Sequence, residues 1–250
     1  MTIPRWLKYY GDTIVIPLLL ALLYLVFAIT ADLSGVADVV AAVFLVVVVG
    51  LWLAFRRLRV HASAARYAAI GEPDKLLAMA DEELARRWFP VGRAPLHVYR
   101  ALAYNLAGQP SEARAALTAS QIKPGERATR SWQLLWASAD IDARTRLGDA
   151  AGARKTFEQV VVPFRSVAPS GGIELIAAEC EARVRLAEGD AAGARDLVLP
   201  AVKEMRLGPA ARAQLYAIVA QCERALGDDD AAAAAAAKAR SLAPTCDLVA

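Results

Sequence analysis

GDAAGAR stands at Gly148–Arg154 and again, letter for letter, at Gly189–Arg195. A glycine-rich heptapeptide used twice is either a pair of phosphate-binding loops or one architectural unit repeated. The choice decides the fold, and with it whether the chain reads as an enzyme. A phosphate loop takes a strand before it and a Lys–Ser/Thr after it, so that backbone N–H groups and the Lys together hold the phosphates. Neither copy has the Lys–Ser/Thr directly after its second glycine, where the motif puts it (Lys155–Thr156 comes two residues too late), and helical patterns precede both. The GxGxxG dinucleotide fingerprint is also absent.

The heptapeptides belong to a longer period. Gly71, Gly108, Gly148, Gly189 and Gly227 follow one another at spacings of 37, 40, 41 and 38 residues, and a period of this size marks a repeat architecture. The apolar residues register on these glycines. Nine positions before them stand Tyr99, Ala139, Cys180 and Ile218; five before, Ala103, Ala143, Val184 and Cys222; one before, Ala107, Leu147, Glu188 and Leu226. Steps of four stay on one helical face. The pattern predicts an amphipathic helix closing at each glycine, with its apolar face running up to the turn. Seven before stand Ala101, Ile141, Ala182 and Ala220, mostly small, as close helix approach requires.

The glycine fits the position just past a helix end, where the backbone is left-handed. Asp149, Asp190 and Asp228 then open a second helix, where a carboxylate accepts orphan N–H groups and meets the positive end of the dipole. Five and nine positions after the glycines come Ala113, Ala153, Ala194 and Ala232, then Leu117, Phe157, Val198 and Ala236. GDAAGAR reads as a helix stop, a tight turn and a helix start.

This unit resembles the tetratricopeptide repeat: a small residue midway along the first helix, a turn Gly, an Ala five positions on, and a Pro after the second helix. AAAAAAAKARSLAP, ending at Pro244, looks like the second helix and terminator of such a repeat. The likeness covers about Ala62 to Pro244, with Tyr104 in the family's aromatic slot. It departs in spacing, which exceeds the family's usual ~34 residues. Pro124, Pro163 and Pro209 stand near the expected helix ends, not at them. The resemblance implies an all-α fold, a solenoid of about four to five helix pairs over residues 58–244 with a tail at 245–250. Stacked pairs of that kind share a core without metal or disulfide.

Long apolar side chains concentrate nearer the N-terminus. Thr13–Thr30 is uncharged, and Val36–Phe55 carries only Asp38 near its start. A spanning helix takes about 20 apolar residues, within about 17–25. The two runs, joined by a short link, predict a transmembrane hairpin over 13–57, preceded by a segment at 1–12. A secretory signal peptide also starts with charge and an apolar run, but here the run is long and a second span ending in FRRLR follows. Arg5 and Lys8 precede the hairpin, Arg56, Arg57 and Arg59 follow it, and the link holds no Lys or Arg. The positive-inside rule then puts both termini and the repeats in the cytoplasm, with Trp6, Tyr9, Tyr10 and Trp52 at the interface. A hairpin followed by cytoplasmic tetratricopeptide repeats is similar in architecture to the HemY-type bacterial membrane proteins associated with haem biosynthesis. That likeness implies the bacterial inner membrane.

Chemistry-bearing residues are sparse. Residues 1–60 carry five Lys/Arg against three Asp, and the other twenty-four basic residues face twenty-three acids. A balance this even is not the one-sided basic footprint that nucleic acid needs. His61 and His97 have no Cys, Asp or Glu at zinc-ligand spacing. Cys180, Cys222 and Cys246 form no CxxC pair, and an odd count suits a reducing compartment. Cys180 and Cys222 fall on the buried stripe; Cys246 lies in the tail. Asp228–Asp230 reads as a solvated helix start, Trp132 and Trp136 as core, and no Ser has a His–acid partner at a suggestive spacing. No catalytic residue, cofactor, metal or small-molecule substrate is expected.

In the tetratricopeptide family the inner face of the first helices binds peptides or partner helices. The matching positions here give Asn105, Ser138, Asp142, Thr145, Glu179, Arg183, Gln221 and Arg224 as partner-binding candidates. They do not reproduce the Lys/Asn clamp for C-terminal carboxylates, since Asp142 is acidic where that clamp has an amide. The expected role is a membrane-anchored protein–protein interaction scaffold or assembly factor, or a stoichiometric accessory subunit of a larger membrane complex. Its partners would be other proteins and the lipid bilayer.

Overall fold

The computed structural model describes residues 36–86, 92–124, 130–167, 171–203 and 207–248. The expected 1–12 segment and first span 13–30, with Arg5, Trp6, Lys8, Tyr9 and Tyr10, lie outside the described residues, as do the side chains of 36–43. The chain divides into two compact units, 1–61 and 62–250. The described residues are helical, with no strand among them.

Helix α1 runs Val36–Ile70. Along its first unit Phe44, Leu45, Val47, Leu51, Phe55 and Leu58 are 42% to 71% exposed. Trp52 and Arg56 are half-buried there, while Arg57 and Arg59 are exposed. Among the described residues no helix is long and apolar enough to cross a membrane. Of the expected second span, only the part from Phe44 on has described side chains, residue 46 excepted.

The larger unit holds the glycine period. After α1 come α2 (Pro73–Ala85), α3 (Arg93–Leu106), α4 (Pro110–Ala119), α5 (Arg130–Arg146) and α6 (Ala150–Thr156). A π turn at Phe157–Val161 leads into α7 (Val162–Val167). Then follow α8 (Gly171–Ala187), α9 (Ala191–Val202), α10 (Pro209–Ala225) and α11 (Asp229–Leu242). Each glycine of the period joins two helices, and those flanking Gly108, Gly148, Gly189 and Gly227 pack against each other as pairs. Along the stack α3 lies on α5, α5 on α8, and α8 on α10.

The five turns share one mechanism. Gly71, Gly108, Gly148, Gly189 and Gly227 have φ of 72°, 71°, 77°, 90° and 84°. In each, the glycine N–H and the next N–H turn back onto the helix they leave. In the third, Gly148 donates to Thr145 O at 3.2 Å and Asp149 to Arg144 O at 2.9 Å. This is the double bond of a Schellman motif, which satisfies carbonyls the helix end would otherwise orphan. The Asp side chains then cap the next helix: Asp149 accepts from Gly152 N–H, Asp190 from Gly193 N–H and Asp228 from Ala231 N–H, each at 2.9 Å. Where Gln109 and Glu72 replace Asp, no side chain caps, and Pro110 and Pro73 start the helix instead, needing no N–H partner there.

The buried stripe forms as the glycine register predicts at nine, seven and five positions before the turn and at five and nine after it. It stops earlier than expected. Leu147, Glu188 and Leu226, one position before the turn, are exposed and Ala107 is half-buried. That residue is the helix cap, where the chain already swings off the cylinder and away from the neighbouring helix.

Two prolines also differ from expectation. Pro163 does not end its helix. With no N–H to donate four residues back, it is accommodated by the widened turn at Phe157–Val161, and helical backbone continues to Val167. Pro209 opens α10 rather than closing a helix. The core is light in aromatics and heavy in Ala, Val, Leu and Ile; Leu76, Leu96, Ile141 and Ile218 are fully buried.

Candidate functional site

The polar residues of the stack gather at the seams between pairs. The last letter of GDAAGAR is part of that arrangement. Arg114, Arg154 and Arg195 each stand six residues after a turn glycine, and each reaches an acid on, or at the end of, the first helix of the next pair. Arg114 pairs with Asp140. Arg154 is bidentate on Glu188, its Nε at 2.8 Å. Arg195 lies 3.5 Å from Glu223. Arg154 and Glu188 favour each other's charge: the hydrogen bond from Arg154 holds the Glu188 carboxyl below its usual range.

Two networks are built on the third pair, one reaching the second pair and one the fourth. Asp140, fully buried, accepts from Arg144 Nε at 2.7 Å and from the Thr156 hydroxyl at 2.7 Å, in addition to Arg114. On the inner stripe, Asp142 of α5 pairs with Arg183 of α8, both buried. Arg146 Nε donates to Asp142 at 2.9 Å, and Arg183 Nη2 to Glu179 at 3.0 Å. Burial alone would push the Arg183 pKa down, but Asp142 and Glu179 beside it carry the balance upward. An ion pair this deep gains stability only when both ions keep their partners, and here each has a second one.

The partner-binding candidates therefore fall into two groups. Asn105 is buried and donates to Ala139 O at 2.9 Å. Asp142 and Arg183 are consumed by the seam, with Glu179 beside them. Ser138, Thr145 and Gln221 are half-buried, and Arg224 is exposed. The structure brings the side chains of Asp142, Glu179 and Arg183 together, and the Thr145 hydroxyl donates to the Asp142 carbonyl at 3.0 Å. Of the expected interface residues, Trp52, Arg56, Arg57 and Arg59 follow one another on α1.

Other residues settle into the core. Trp132 meets Tyr99 edge-on at 5.7 Å between ring centroids. Trp136 packs against the apolar clusters of both the second and third pairs. Cys180 and Cys222 are buried, which pushes both thiols up, Cys222 to about 11. His61 and His97 are held below the usual histidine pKa, chiefly by burial and then by nearby arginines. Among the described residues no three His, Cys, Asp or Glu side chains gather as a metal site.

The tail after α11 is the part that sequence reasoning treated as an appendage. Asp247 N–H donates to Leu106 O at 2.8 Å, and Arg146 Nη1 donates to Asp247 O at 3.3 Å. The Thr245 hydroxyl donates to Gly71 O, and Cys246 Sγ lies 3.5 Å from the same oxygen. Leu248 is buried with Leu106, Ala213 and Ala217. No periodic signal marks Thr245–Leu248, so nothing in the sequence points to these contacts.

No family model matches this chain, and no curated protein or solved structure matches it either.

Proposed function

We propose that the chain is a membrane-anchored protein–protein interaction scaffold or assembly factor, with a tetratricopeptide-like solenoid carried in the cytoplasm by a helical hairpin in the bacterial inner membrane. One observation carries the reading. A stack of glycine-closed helix pairs, built throughout by one turn mechanism, follows a helix whose apolar side chains face outward. Phe44, Leu51, Phe55 and Leu58 on that helix are each more than half exposed. Contiguous exposed apolar surface of this kind suits a bilayer or another protein, and Arg56, Arg57 and Arg59 follow it as cytoplasmic anchors do.

The second reading, a stoichiometric subunit of a larger membrane complex, has its own support. Gly50 is exposed, and a Cβ there would meet nothing within 4 Å. A small residue on an open helix face lets another membrane helix approach closely.

Gentle-detergent purification from native membranes, with mass spectrometry of what co-elutes, tests the proposal. Substoichiometric, salt-sensitive cytoplasmic proteins are the expected result. Membrane subunits at fixed ratio would replace it with the second reading, and recovery of the chain in the aqueous fraction would end both. Single-cysteine labelling at Arg57→Cys and Ala231→Cys, with the native cysteines removed, checks the orientation: both sites are shielded in intact cells if the repeats are cytoplasmic.

A further inference from the structure

In an open stack each helix pair touches only its neighbours. This stack does not stay open. Gly208 and Ala210, at the start of the fifth pair, sit against the first turn: a Cβ on Gly208 would lie 3.0 Å from Ala69 O, and one on Gly71 would lie 3.4 Å from Ala210 Cβ. The seam left between the first, second and fifth pairs is filled by the tail. Its main chain supplies the bonds: an N–H to Leu106 O and a carbonyl to Arg146. Its side chains supply the fit: Thr245 on Gly71 O, and Leu248 in an apolar pocket. Both turns are shaped around it. A Cβ on Gly71 would come within 2.9 Å of Cys246 Sγ, and one on Gly108 within 2.8 Å of Asp247 Oδ2.

Backbone pairing plus one aliphatic pocket is how an extended peptide is held. We propose that this seam is a peptide-binding site occupied in cis by the chain's own Thr245–Leu248. The ligand class is an extended segment with a small or hydroxyl residue, then Asp, then an aliphatic, arriving through the turn edge of the stack rather than the inner stripe. While the tail is bound, the seam is closed to any other segment. The inference rests on the helix-pair stack alone and stands or falls separately from the scaffold reading, because its test needs no native partner.

The test uses the full chain in detergent, the same chain ending at Pro244, and a fluorescent peptide TSDLVA, which matches residues 245–250 with Ser for Cys246. The peptide binds the shortened chain with saturable anisotropy and leaves the full chain unbound. A shortened chain that keeps its helical circular dichroism but does not bind the peptide overturns the proposal, as does equal binding to both. If the shortened chain does not fold, Leu248→Asp in the full chain decides. Cys246 then gains reactivity toward a thiol reagent by about tenfold or more, a shift of about 1.4 kcal/mol in local opening, while Cys180 and Cys222 stay protected. Unchanged Cys246 labelling, or all three thiols opening together, shows a tail that is simply a permanent part of the core.

Discussion

The seam between the third and fourth pairs and the seam between the fourth and fifth follow the same heptapeptide and are built from opposite materials. The first has an apolar cluster around Ile141, Phe157 and Val184, but threads it with buried charge: Asp142 to Arg183, with Arg146 and Glu179 beside them. The second is apolar at its centre, where Val198, Leu215, Ile218, Val219 and Cys222 meet, and its cross-pair contact from Arg195 to Glu223 is part-exposed. Dry packing is non-directional and tolerates sliding of one helix on another. A buried ion pair with second partners does not, because any slip leaves a charge without water or partner. The middle seam thus fixes register at a cost in stability, and the end seam supplies adhesion.

The largest blow to this contrast comes from the dry side. Ile218→Ala should lose about 4 kcal/mol, a cavity in a tightly packed seam, read as a lower urea midpoint at unchanged slope. Arg183→Met should lose about 3 kcal/mol by leaving buried Asp142 with Arg146 as its one cation among the described residues, and Asp142→Leu added to it should recover most of that loss. If the double variant stays as weak as the single, the pair provides net stability rather than register, and the comparison fails. Gly148→Ala should cost about 1–2 kcal/mol purely through its left-handed backbone, since a Cβ there meets nothing within 4 Å. Asp190→Ala should cost about 1 kcal/mol through the lost cap, measured in the same titration.

The smallest effect is acid sensitivity. His97 has a folded pKa below the ordinary value, so the unfolded chain binds its proton more readily. Its contribution is fully present above about pH 6.5 and is lost as pH falls through the folded value. His97→Gln should flatten that part of the stability profile, followed by melting temperature between pH 7 and 5.

The turns were legible in the sequence because each rests on a local rule. A left-handed glycine, a capping Asp and steps of four need no knowledge of the rest of the chain. The seams were not. Arg at the sixth position after the glycine repeats, but its acid partner falls at Asp140, Glu188 or Glu223, a different register each time. Choosing among them takes the packing offset between pairs. Nor does the inner stripe announce that Asp142 and Arg183 are buried against each other: two complementary charges on adjacent first helices satisfy each other only once the packing offset is known. The second glycine of GDAAGAR is likewise set by a contact that its spacing does not announce. A Cβ on Gly152 or Gly193 would run into the capping carboxylate of Asp149 or Asp190, and at Gly152 into Arg144 as well.

The bond from Thr245 to Gly71 joins residues 174 apart. Translation delivers its two halves far apart in time, at roughly 5–20 residues each second. Every earlier pair can stack on its predecessor as it emerges, but this closure waits for Thr245. A chain interrupted before that point would carry well-formed helices and an uncovered Leu106. Passage of synthesis beyond Leu248 is thereby written into the surface, where a protease or chaperone that samples apolar patches can read it.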